Sequence, residues 1–512
     1  MKVIGEPFMS LSIRSLSTCL TTAVLIALAP HATSAPFDAT IRIRNTFGHV
    51  SRSFEARGSI EFTDDDRDVK TISSGGYLLI EEGSWLRTER SYEVRASSSG
   101  LSRTYRVGGR VRPIDPDAQA WVGGAVLAFI RESGIDAGAR IERLLRHGGP
   151  QAVLKEVAEI HSDGPKRIYL RELVERGRLD DESLRDVMRS ARTIGSDGDK
   201  VGLLIELSPG YLNGDLRQSW FQTMRGVGSD GDKRRGLEHA IRSDSSADTL
   251  ALAAGVAGGI GSDGDKAAVL SAIAARGLTG AVRRPWFRAA QSIGSDGDKR
   301  HVLSSALALP DHSQDTLIEI LYTARTIGSD GDKAAVVRAV APADLSSDTV
   351  QRIFFSVVDT IGSDGDRKEV LTSLLRAPVR SAPLMTGVAQ SARRIGSDND
   401  KAAVLSRLAE SDLSDAAARA AFFVAANSIG SDHDHAEVLS SVLKKSKQAP
   451  DTIVAAIDSA TVIGSDADKA SVLLLAAERH AADPAVRGAL EKALKSVHSD
   501  SDYRRVSAAL HH

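Results

Sequence analysis

Along most of the chain, apolar residues recur on a helical beat that breaks at a short polar turn and then resumes. Ile353, Phe354, Val357, Val358 and Ile361 fall at i, i+1, i+4, i+5 and i+8 before one such turn, which is one apolar stripe of a helix. Val370, Leu371, Leu374 and Leu375 form a second stripe after it. The same offsets place Val336, Val337 and Val340 in the preceding unit. Each unit therefore predicts two helices joined at a turn.

The turn has its own signature, seen most simply in "IGSDGDK" from Ile327 to Lys333. Aligned on the apolar residue two before the serine, the copies begin at Ile160, Ile194, Val227, Ile260, Ile293, Ile327, Ile361, Ile395, Ile429, Ile463 and Val497, with spacings of 33 or 34 residues. A fixed period of that length means stacked supersecondary units. The predicted fold is mainly α: a right-handed α-solenoid of about eleven helix pairs.

Glycine is favoured just past a helix end and serine just before a helix start. Gly328 is thus expected to end one helix and Ser329 to cap the next. Asp332, three residues on, is placed to reach back to the backbone N–H of Ser329 as in a capping box. Asp330 adds negative charge to the first turn, and Lys333 is spaced to pair with it. Gly331 has no place in that scheme, and glycine in a first turn costs on the order of 1 kcal/mol. The expectation is that neighbouring turns approach closely there.

Calcium is the competing reading of Asp330, Gly331 and Asp332. A calcium loop needs oxygen ligands at five or more positions and an acid at the twelfth. Here the fifth and seventh positions are Ala334 and Val336, and the twelfth is not acidic. Only ions shared between adjacent copies would complete a shell, so capping is preferred.

Before the repeats the pattern changes to alternation. "TIRIRN" at Thr40, "YLLIEE" at Tyr77, "SYEVRA" at Ser91 and "RTYRVGGRV" at Arg103 read as strands, with "SSSGL" as a hairpin turn. Residues 36–113 are assigned to a small antiparallel β domain. Asp64, Asp65 and Asp66 lack a histidine or further acid at ligand spacing and read as a solvated loop. Residues 114–160 read as a helical N-terminal cap anchored by Trp121, and residues 161–512 as the solenoid, with "HSDSDYRRVSAALHH" as its far cap.

Residues 1–35 read as a signal peptide: Lys2 and Arg14 precede an apolar stretch from Leu20 to Ala29, too short to span a bilayer. Small-residue sites end at Ala29 and Ala35, and Met9 is an alternative start. The expected location is periplasmic or secreted, with no membrane insertion once the signal is removed. Cys19, the only cysteine, lies in that segment, so the mature chain would have no disulfide, cysteine zinc site or cysteine nucleophile. The formal charge of −2 gives no electrostatic reason to expect a nucleic acid partner.

No zinc-protease helix, nucleophile elbow or phosphate loop occurs, and the S-D-N at Ser397 is a repeat turn. His161, His433, His435 and His498 fall on the turn in different copies. The "HDH" at His433 to His435 has weak metal-binding character, and neutral substitution is the simpler account. No residue is assigned a catalytic, cofactor or metal role, and no cofactor is expected.

Tandem helix pairs of this length resemble α-solenoid repeats of the tetratricopeptide or HEAT-like kind, from about Ile160 to the end. The tetratricopeptide pattern itself is absent: Trp220 and Trp286 precede the turn without the matching glycine. The resemblance implies a curved surface that binds protein or peptide, here in a monomeric, non-enzymatic exported scaffold. The alternatives are a sensor or regulatory envelope protein signalling through its β domain, a calcium-binding repeat protein, and a hydrolase with a site assembled from scattered Ser, Asp and His.

Overall fold

The computed structural model describes residues 40–47, 50–84, 87–309, 312–340, 342–376, 381–445 and 448–511. The signal segment and Cys19 lie outside them. A small antiparallel β domain is followed by a mainly α chain of sequentially packed helices, a helical-repeat solenoid. The chain divides into two compact units between Val227 and Gly228.

In the first unit, β1 (Thr40–Phe47), β2 (Val50–Arg57), β5 (Tyr77–Ser84), β6 (Arg87–Ser97), β7 (Gly100–Val107) and β8 (Arg110–Arg112) form one antiparallel sheet in the order β1-β2-β5-β6-β7-β8. β3 (Ile60–Phe62) and β4 (Val69–Ile72) pair separately. Residues two apart share a sheet face. Phe54 and Ala56, Leu78 and Ile80, and Tyr92 and Val94 are accordingly buried together. The expected "SSSGL" turn joins β6 to β7, where Ser97 pairs with Gly100.

The buried face of the sheet shares one core with α1 (Pro116–Ser133), through Val122, Ala125, Val126 and Phe129. Trp121 fixes that docking: its Nε1 donates to Glu82 Oε1 at 2.9 Å and its ring lies 5.5 Å from that of Tyr105. The Trp121 anchor thus holds helix to sheet. In the acidic run Asp64 and Asp65 are solvent-exposed as expected, but Asp66 is not free. Asp66, in a left-handed conformation at φ 57°, is gripped by Arg140 (3.0 Å) and Arg143 of α2 (Ala137–Glu159). Arg140 is 3% exposed and also bonds Glu156 at 2.9 Å. A buried charge is tolerable only when paired, and here the partners come from sheet and helix alike.

In the second unit the helices alternate between two kinds. Those that follow a motif, such as Asp296–Leu307, Asp330–Arg338 and Asp364–Leu374, stack on one another in series. Those that precede a motif, such as Gln314–Ala324, Asp348–Val358 and Ala382–Ala392, stack likewise. The apolar stripe read from the sequence lies between the two series: Phe354, Val357, Val358 and Ile361 are fully buried.

Candidate interaction surface of the repeats

The motif is first a structural ladder, and its wiring differs from the expected one. The serine does cap: in ten successive copies from Ser196 to Ser499, its Oγ accepts from the backbone N–H of the aspartate three residues on, at 3.2–3.4 Å, a contact worth about 1 kcal/mol. The reciprocal arm does not come from Asp332. The N–H of Ser329 donates instead to Asp296, the first aspartate of the preceding motif, at 2.8 Å, and the N–H of Gly328 donates to the same carboxylate at 3.0 Å. Asp330 in turn receives Ser363 at 2.8 Å. Asp163, Asp230, Asp263, Asp364, Asp398, Asp432 and Asp466 repeat the bond to the next copy's serine at 2.7–2.9 Å.

The expected pairing of the lysine with the first aspartate of its own motif forms at 3.3–3.9 Å in the copies of Lys200, Lys266, Lys401 and Lys469, but the lysine also reaches the next copy. Lys333 is buried, and its Nζ donates to the carbonyl of Thr360 in the next copy at 3.3 Å. Lys200, Lys233, Lys266, Lys401 and Lys469 make the equivalent carbonyl bond at 2.8–3.5 Å. One turn therefore holds the amides opening the next turn and a carbonyl at the end of the helix before it. Each is a group a helix terminus leaves unpaired. The amides, chiefly those of Gly261, Gly328 and Gly396, hold the carboxyls of Asp230, Asp296 and Asp364 below the usual range.

The close approach expected at Gly331 belongs to Gly328. A Cβ on Gly328 would lie 3.1 Å from Asp296 Oδ2, whereas one on Gly331 would meet nothing within 4 Å. Gly328 does not terminate its helix either: the helix ends at Ala324, and Arg325, at the C-cap, stays right-handed. Nothing in the structure explains the glycine at 331, and Asn399, His433, Ala467 and Ser501 occupy the same position in later copies.

The histidines of "HDH" diverge. His433 is solvent-exposed, while His435 is 2% exposed and takes the place of the ladder lysine. Its Nε2 lies 3.0 Å from Ser459 Oγ, and burial pushes its pKa below the usual value, opposed by Asp432. Among the described residues, no group of three or more His, Cys, Asp or Glu is arranged to hold a metal ion.

A second regularity escaped the sequence reading. Aromatic pairs Trp220–Phe221, Trp286–Phe287, Phe354–Phe355 and Phe422–Phe423 occur in every other copy. Each packs edge to face at 4.8–5.4 Å. A basic residue seven after the motif's apolar position alternates as well, pairing with the second aspartate of the next copy: Arg167 with Asp199, Arg234 with Asp265, Arg300 with Asp332 and Lys368 with Asp400, at 2.6–3.5 Å. The packing unit is thus a double repeat of four helices. Gly387 shows how close its fit is, since a Cβ there would come within 2.2 Å of the Phe355 ring.

With ladder and core accounted for, the outward face of the motif-preceding helices remains. Five residues before the motif's apolar position, six successive copies carry Arg288, Tyr322, Ser356, Gln390, Val424 and Asp458, all exposed and all different. Between Ala382–Ala392 and Ala416–Ala426 this face sinks into a groove of about 670 Å³, where Ala417, Ala420 and Ala421 leave room beside Val424. Arg393 and Arg394 line its other side; Arg394 lies 3.3 Å from Asp359, which also accepts from Ser391 Oγ at 2.7 Å.

No protein-family model matches this chain, and no curated protein matches its sequence. No helix among the described residues is long and apolar enough to cross a membrane.

Proposed function

We propose that this chain is a non-enzymatic, exported scaffold that works as a monomer and binds protein or peptide on the outward face of its motif-preceding helices, as tetratricopeptide and HEAT-like solenoids do. One observation carries the reading. Apart from the glycine at the position of Gly331, residues shared between copies serve the ladder and the core, while exposed positions on that face vary from copy to copy. Variation at exposed positions of an otherwise repeated scaffold is how such arrays distinguish partners. The groove beside Val424 has the size and mixed lining of a peptide site.

The test is a displayed peptide library selected against the chain from residue 36 onward. Selected peptides should bind at least tenfold more weakly to Val424→Asp and to Ala420→Arg, and equally well to Glu437→Arg on the other helix series. Peptides indifferent to all three substitutions, or no selected peptide at all, would defeat the proposal.

A regulatory reading draws support from the grip of Arg140 and Arg143 on Asp66, which ties sheet to helices within the first unit. It requires that Asp66→Ala alter an envelope phenotype while the fold and peptide affinity stay intact.

A further inference from the structure

The β domain carries a second candidate surface, independent of the repeats. Antiparallel register brings three pairs of strand ends to one end of the sheet: Phe47 with Val50, Ser84 with Arg87 and Val107 with Arg110. Every large apolar side chain exposed within the described strands lies at that end: Val50 at 48%, Val107 at 40% and Val111 at 67% exposure. The opposite end, around Arg57, Tyr77 and Ser97, has none among the described residues. Val50 and Val107 are three strand spacings apart in the register, roughly 14 Å.

The β7–β8 hairpin is built to project. Gly108 and Gly109, at φ 55° and 80°, form its two-residue turn, a backbone that glycine adopts without strain and that matches strand twist. All of β8 is exposed.

Charge sets the choice of partner. The chain as a whole is at −2, but residues 40–113 hold thirteen Arg and Lys against ten Asp and Glu. From Ser102 to Ile114 there are four arginines and no acid. Arg103 and Arg106 are paired, with Asp68 at 2.9 Å and Glu93 at 3.4 Å. Arg110 and Arg112 are exposed and have no acidic partner among the described residues; Arg87 is exposed at the same end, where Glu89 is the exposed acid. Exposed branched apolar side chains interleaved with uncompensated arginines fit an interface that is apolar below and anionic above. A second copy of the chain would bring the same arginines face to face.

We infer that the hairpin end of the sheet docks the protein on an anionic lipid surface, with Val107 and Val111 entering the headgroup region and Arg110 and Arg112 meeting phosphates. The contact is peripheral and leaves the repeats free. It does not rest on the peptide-binding reading.

The test is co-sedimentation of the chain from residue 36 onward with vesicles of phosphatidylcholine alone or with 30% phosphatidylglycerol. Binding is expected only to the anionic vesicles and should weaken as salt rises. Arg110→Glu/Arg112→Glu should reduce it about tenfold or more, and Val111→Asp should reduce it with circular dichroism unchanged. Inorganic phosphate at millimolar concentration should not compete, which separates a lipid surface from a free phosphate site. Equal binding to neutral vesicles, binding unaffected by these substitutions, no vesicle binding, or a concentration-dependent dimer abolished by Val111→Asp would each overturn the proposal.

Discussion

The turn edge of the repeats and the helix layers behind it obey different periods. At the edge, nearly every copy makes the same serine cap, the same aspartate grip on the next turn and the same lysine bond to a carbonyl. In the layers the aromatic pair appears only in alternate copies. The difference follows from what each region must satisfy. Helix termini present the same unpaired amides and carbonyls in every copy, so one solution is used throughout. Layer packing has only to fill volume, and a large pair in one copy with smaller residues in the next fills it as well as uniform residues would.

The sharpest way to break that comparison is to empty an aromatic copy. Trp286 is fully buried and donates to the Leu270 carbonyl at 2.8 Å. Trp286→Ala should cost about 3–5 kcal/mol in chemical denaturation. Ile320→Ala, at the matching position of the next copy, should cost less, toward the lower part of the ~2–5 kcal/mol range. Equal losses would remove the double-repeat reading.

At the edge the two glycines should respond with opposite signs. Gly331→Ala has open space and should stabilise the protein, by up to about 1 kcal/mol of helix propensity. Gly328→Ala presses on the Asp296 carboxylate and should destabilise it. Melting temperatures moving in the same direction for both would mean that the ladder geometry is wrong.

The smallest effect belongs to a copy where the edge departs from its rule. Burial lowers the pKa of the His435 imidazole in the folded state. Its contribution is therefore complete above about pH 6.5 and falls away as the unfolded chain takes up protons at lower pH. Wild-type protein should lose more stability between pH 8 and pH 5 than His435→Lys does. Identical pH responses in thermal melts would exclude this.

Much of this was legible in the sequence. The repeat period, the helix pairs and the serine cap follow from spacing and residue type alone, because the 3.6-residue beat and the N-cap preference are local. So does the strand character of residues 40–112. The wiring was not legible: Asp296 reaches an amide 33 residues ahead, and within one copy it looks the same as an aspartate placed for the helix dipole. Asp66 read as solvated because its arginine partners lie 74 and 77 residues away. The alternation of Trp286–Phe287 with Ala253 and Ile320 was visible in the letters but hidden by alignment on the turn, which is identical in both kinds of copy. The outward groove was hidden for another reason: nothing in the spacing sets Ala420 apart from other alanines, and only the fold shows it exposed.

By itself the sequence determined that helices form in pairs, where the motif-following helices begin and about how many pairs there are, since each of those outcomes depends on short-range pattern. Tertiary structure decided which carboxylate meets which amide, which glycine is crowded and which faces remain open. Those depend on distances between segments that the chain brings together only when it stacks.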